Sequence, residues 1–105
     1  LTDIKHLKGA AAELIVSEYM VTKGYYVFSP VVHQQGPIDI ICVNDDGDIV
    51  LIDAKYDSQR INPGRKKPAR IHRTRNEVQK LLGVRIAYVT KNKDIHFTPP
   101  LEEEI

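Results

Sequence analysis

Apolar residues recur at helical spacing at the start of the chain and then gather into short, nearly continuous runs, a pattern of one long helix followed by strands. The segment from about Ile4 to Lys23 predicts the helix: Ala10-Ala11-Ala12-Glu13-Leu14 favours that conformation, Asp3 is a candidate N-cap, and Gly24 closes it. Tyr25 to Ser29 reads as a strand and Pro30 to Gly36 as a loop. Two apolar runs follow, Pro37 to Val43 and Ile49 to Tyr56, joined by Asn44-Asp45-Asp46-Gly47-Asp48. Ser58 to Pro68 reads as a long loop around Pro63-Gly64, and a short helix from about Arg73 to Leu82 ends at Gly83. Val84 to Thr90 is an apolar strand with which Asp94 to Phe97 pairs through Lys91-Asn92-Lys93, before Pro99-Pro100 stops regular structure. The expected order is helix, three strands, helix, one or two strands, an α/β fold.

The central hairpin carries the most specific expectation. A three-residue hairpin loop built on a type I turn plus a left-handed residue wants Gly last, and Asp45-Asp46-Gly47 supplies it. Asn44 then pairs with Asp48 and Val43 with Ile49. Stepping back two residues at a time sets Ile41 opposite Leu51 and Asp39 opposite Asp53, with Lys55 one step further on that face. Ile38, Ile40, Cys42, Val50 and Ile52 fall on the other face, so both faces are largely apolar and the strands belong in the middle of a sheet. Carboxylates facing each other at about 5 Å repel by on the order of 3 kcal/mol at an effective dielectric of ~20. A divalent cation is the economical counter-charge.

Composition narrows the class. The 105 residues suffice for one domain over residues 1–105 but not for two. Hydrophobic residues make up 42% and charged residues 28%, close to globular averages, and no apolar run approaches the ~20 residues of a membrane span. Leu1 to Lys8 lacks the apolar stretch of a signal peptide. Cys42 is the single cysteine and sits in an apolar strand, which excludes an internal disulfide and points to a reducing, cytoplasmic setting. The net charge of +1 hides a segregation, because Arg60, Arg65, Lys66, Lys67, Arg70, Arg73 and Arg75 follow one another with no acid among them. Such a block beside a metal site suits a phosphate backbone, held with salt-dependent affinity that is indifferent to sequence. Arg73 and Arg75 open the second predicted helix, whose backbone N–H groups would also meet a phosphate.

On a helical wheel Glu13 falls among Gly9, Ala10, Val16, Ser17 and Met20, most of the apolar arc of the first helix. It therefore points inward, where an unpaired carboxylate is costly. Glu13, Asp39 and Asp53 form an oxygen-only set that suits Mg²⁺, with Mn²⁺ as a substitute, rather than Zn²⁺. Lys55 brings a second positive centre beside them, and a phosphodiester is the substrate that accounts for both. The bland alternatives are an edge Glu13 paired with Lys5 or His6 and a Lys55 simply paired with Asp53 or Asp57. Gln79 reads first as a surface residue and second as a polar accessory to the site. The histidines show no metal-ligand spacing, and no Gly-rich phosphate loop exists.

Asp39 preceded by Pro37-Ile38, Asp53-Ala54-Lys55 after a hairpin, and an upstream helix with Lys8-Gly9 and Glu13 together resemble the PD-(D/E)xK nuclease superfamily. The resemblance runs from Lys8 to Val89. Archaeal-type Holliday junction resolvases and group I intron-associated endonucleases of that superfamily are similar in Gly9 to Glu13 and in Gly24-Tyr25-Tyr26-Val27. Two departures stand out: Ile38 separates Pro37 from Asp39, and the middle acid is Asp53 where many members have Glu. The resemblance implies a restriction-endonuclease-like αβββαβ core, a mixed central sheet flanked by helices. It implies that Glu13, Asp39 and Asp53 hold Mg²⁺ and that Lys55 serves the nucleophile. The implied activity is Mg²⁺-dependent endonucleolytic hydrolysis of DNA, double-stranded or branched, leaving a 5′-phosphate. One chain offers one site, so cutting two strands calls for a homodimer, through Val84 to Val89, the helix before it, or the Tyr-rich strand. The alternatives are a non-catalytic DNA-binding module with the same fold and a homing or restriction-type site-specific endonuclease. A carboxylate-pair glycosidase fits the ~5 Å spacing but not the basic block or the absence of Trp.

Overall fold

The computed structural model describes residues 4–33, 35–56, 59–60, 69–70 and 76–101. Helix α1 (Ile4–Thr22) leads into β1 (Tyr26–Phe28), β2 (Ile40–Val43) and β3 (Ile49–Tyr56). A small ribbon of β4 (Gln59–Arg60) and β5 (Ala69–Arg70) comes next, then a short helix α2 (Glu77–Leu82) and the strands β6 (Arg85–Val89) and β7 (Ile95–Thr98). Helix α1 packs on a five-stranded mixed sheet in the order β1-β2-β3-β6-β7. All its neighbours are antiparallel except β3 and β6, which are parallel. The α/β class and the helix–three strands–helix–two strands order of this body follow the sequence pattern.

On α1, Ala12, Val16 and Met20 stand at i, i+4 and i+8 and are wholly buried, the seam along which the helix meets the sheet. Ile40, Cys42, Ile52, Ala54, Ala87 and Val89 complete that core from the strands, and Tyr19 meets Phe97 with ring centroids 5.9 Å apart. The seam is narrower than the predicted arc, since Ala10 is exposed. Burial pushes the Cys42 thiol up to about 11, which leaves it an inert core group. Among the described residues no helix is long and apolar enough to cross a membrane.

The hairpin turn forms as its residues dictate. Asn44 Oδ1 accepts from the N–H groups of Asp46 and Asp48, and Gly47 takes φ +83°, a left-handed conformation in which a Cβ would be strained. The resulting register pairs Val43 with Ile49 and Ile41 with Leu51, as expected, and Asn44 N–H donates to the Asp48 carbonyl.

Three expectations change. The second helix begins at Glu77 rather than Arg73, because Asn76 caps it: the Asn76 side chain accepts from Gln79 N–H while the Gln79 side chain accepts from Asn76 N–H. Gln59 and Arg60, expected in a loop from Ser58 to Pro68, form β4 and pair antiparallel with β5, while Ser58 and residues 61–68 of that expectation lie outside the described residues. Finally, Val84 to Val89 is not an available interface, since β6 lies between two strands and Val84, Ile86, Ala87, Tyr88 and Val89 are all buried.

Candidate functional site

The carboxylates meet where β2 and β3 part. The regular ladder ends at the pair Ile40 and Ile52, but Asp39 stays attached to β3 on both sides of Asp53. Its N–H donates to the Ile52 carbonyl at 2.9 Å, and its Oδ2 accepts from Ala54 N–H at 3.0 Å. A side-chain oxygen thus takes over the backbone group that the departing strand no longer satisfies.

Asp53 is 7% exposed and points away from the α1 side of the sheet, to which its neighbours Ile52 and Ala54 belong. Two groups serve its oxygens. Lys55 Nζ lies 3.3 Å from Oδ1, and Gln79 Nε2 donates to Oδ2 at 2.7 Å. The same Gln79 amide donates to the Pro37 carbonyl at 3.0 Å, tying α2 to the chain just before Asp39. Gln79 is 5% exposed, so the sequence reading that put it first on the surface is wrong. Its neighbours Val78, Leu81 and Leu82 are the exposed ones. A local signal existed, because Asn76-x-x-Gln79 has capping-box spacing and that box aims the Gln79 side chain back toward the helix start.

The pair is electrostatically frustrated. Burial, a hydrogen bond shared with Asp53, the Asp53 charge and, more weakly, the Glu13 charge raise the Asp39 pKa from 3.8 to about 7, against the lowering effect of the Ala54 N–H. The Lys55 ammonium sits on Asp53, the carboxylate that already has the Gln79 amide.

Asp39, Asp53 and Lys55 are therefore brought together, with Gln79 added to them. Glu13 is half-buried on α1 within electrostatic reach of Asp39. It does not complete a metal cage, since among the described residues no group of three or more His, Cys, Asp or Glu side chains is arranged to hold a metal ion. Two close carboxylates, one of them with its pKa raised to about 7 by burial and by the other, nevertheless fit Mg²⁺, which keeps several waters and takes one or two carboxylates. Of the basic block, Arg60 lies on β4 and Arg70 on β5, while Arg65, Lys66, Lys67, Arg73 and Arg75 lie outside the described residues. The expectation that Arg73 and Arg75 open α2 falls with its start at Glu77.

Comparison with known proteins gives no match, whether to a family model, a curated protein or a solved structure.

Proposed function

We propose that the chain is a Mg²⁺-dependent endonuclease of the PD-(D/E)xK kind, with a restriction-endonuclease-like core, that hydrolyses DNA phosphodiester bonds. The observation that carries this reading is Asp39 bonded to β3 on both sides of Asp53, with Lys55 on Asp53. The arrangement concentrates negative charge and then adds a cation to one member, which a structural ion pair does not need. A Mg²⁺ ion bound there would supply positive charge to the phosphoryl oxygens and acidify the attacking water.

The chain's own residues do the rest. Ala54 N–H and the Gln79 amide fix one oxygen of Asp39 and one of Asp53, and so hold the two carboxylates side by side. Lys55, about one-third exposed beside Asp53, would orient the attacking water and steady charge developing on phosphorus. Glu13, within electrostatic reach of Asp39, would add negative charge to a site that holds the ion. The basic residues from Arg60 to Arg75 would hold the DNA backbone. Cutting both strands of a duplex or a junction would require two copies.

The test is cleavage of linear, branched and single-stranded DNA in Mg²⁺, Mn²⁺ and EDTA by wild type, Asp53→Asn and Lys55→Ala. Metal-dependent cleavage lost by about 100-fold or more in each variant is expected. Equal cleavage by all three would overturn the assignment. Glu13's standing outside a three-residue ligand group favours a second reading, a DNA-binding module without turnover. That reading predicts DNA retention with a steep salt dependence and no cleavage in either metal.

A further inference from the structure

The sheet is polarised along its strands. At the N-terminal end of β3 the hairpin turn exposes Asp45, Asp46 and Asp48, whereas the opposite end carries the turn between β6 and β7, with exposed Lys91 and Lys93 and the single acid Asp94. Strands β3 and β6 are parallel, with Lys55 opposite Tyr88 and Tyr56 opposite Val89, so this second turn begins just past the last pair of β3. From Tyr88 to Lys91 is about 10 Å along the strand, and β6 stands about 5 Å to the side of β3. The chain leaves β3 from the same end, and Arg60 follows on β4. The candidate site also opens that way, since side-chain exposure rises from 10% at Asp53 to 35% at Lys55.

The backbone of the second turn makes Lys93 conspicuous. Thr90 N–H donates to the Asp94 carbonyl and Lys93 N–H to the Thr90 carbonyl, each at 2.9 Å. The acidic hairpin makes the same two bonds, from Asn44 N–H to the Asp48 carbonyl and from Gly47 N–H to the Asn44 carbonyl. Both loops put the corresponding residue in the left-handed region, Gly47 at φ +83° and Lys93 at φ +67°. One loop fills that position with the residue that takes it without strain, and the other fills it with a lysine. Hairpin closure gains nothing from that lysine, so its charge calls for another explanation. Among the described residues neither Lys91 nor Lys93 makes an ion pair, Asp94 included.

We propose that the Lys91–Lys93 turn holds a backbone phosphate of the DNA, about three nucleotides from the bond that lies over Asp39 and Asp53. The proposal rests on the DNA reading above and adds a contact to it, because the basic residues already assigned all fall between Arg60 and Arg75. A phosphate held there contributes affinity and register without sequence preference. The acidic hairpin at the far end repels the same backbone and so sets the direction in which the DNA leaves the site.

Fluorescence anisotropy of a labelled linear duplex and a labelled four-way junction, titrated with the full chain in EDTA or Ca²⁺ from about 50 to 200 mM NaCl, tests it without cleavage. Lys91→Ala combined with Lys93→Gly should weaken binding at least about 10-fold and lower the slope of log affinity against log salt by about 2. Lys93→Gly alone should weaken binding and yet raise the melting temperature by about 3 °C, since the left-handed position is then unstrained. Lys23→Ala, which removes an exposed charge just past α1 on the other side of the sheet, should bind as wild type does. If the double variant loses its helical circular dichroism, Lys91→Glu, which leaves the strained position alone, decides instead. Wild-type affinity and salt slope in a folded turn variant, equal weakening by Lys23→Ala, or a wild type that retains no DNA overturns the proposal. A wild type that binds through this turn but cleaves nothing retires the nuclease reading and keeps the proposal, and one that cleaves DNA yet ignores both lysines does the reverse.

Discussion

Replacing Asp39 by asparagine should stabilise the protein at neutral and alkaline pH while abolishing the proposed metal site. The folded-state pKa of about 7 exceeds the ordinary 3.8, so between those values the native state holds a proton that the unfolded chain has released. Stability contributed by that proton is fully present below about pH 4, falls by ~1.4 kcal/mol per pH unit through the window, and is gone above pH 7. The full span is about 4 kcal/mol, an upper bound, and solvent at the half-buried carboxyl reduces the working figure to about 2 kcal/mol. The introduced amide keeps an oxygen for Ala54 N–H and adds an N–H that can donate to Asp53. Thermal melts in EDTA should therefore show Asp39→Asn roughly 10 °C above wild type at pH 8, with the two converging at pH 4. Adding Mg²⁺ should raise the wild-type melting temperature and leave the variant unmoved. A variant that melts below wild type at pH 8, or above it by the same interval at both pH values, would refute the account of a frustrated carboxylate pair.

Gln79→Ala removes the donor to both Asp53 and the Pro37 carbonyl and should cost about 2–3 kcal/mol by urea denaturation. Gln79→Glu places a third carboxylate there, so its deficit against wild type should grow between about pH 5 and pH 8 in the same assay. Met20→Ala, at the fully buried end of the α1 seam, should cost about 2–5 kcal/mol, again read from urea curves. Gly47→Ala meets no atom within 4 Å but keeps φ +83°, so its cost there should be limited to about 1 kcal/mol of backbone strain.

The hairpin was legible because turn chemistry is local: Gly47 demands one loop type, and the loop dictates which residues face each other. The α1 seam was legible for the same reason, its periodicity being set by a single flat partner. Gln79 was not, since its partners stand 26 and 42 residues away and its apolar neighbours claim the inward side of a helical wheel. Those neighbours stay exposed because Gln79 turns the covered side of α2 toward polar partners, a carboxylate and a backbone carbonyl. The bonding of Asp39 was half legible. Alternation placed it against Asp53, but the escape of its oxygen to Ala54 N–H belongs to a ladder that has already ended.

The split between near and distant partners also orders events in time. Asp39 and Asp53 are joined by a hairpin that closes over a short loop, whereas β3 meets β6 only in parallel, with Asp53 opposite Ile86, and Gln79 arrives with that crossover. Local pairings form early and long-range parallel ones late. The two acids should thus be neighbours while water still surrounds them and both remain ionised, and their repulsion becomes costly only when α2 docks. A site completed by a long-range contact should show itself in kinetics: relieving its strain by Asp39→Asn is expected to slow unfolding and to leave the folding rate nearly unchanged.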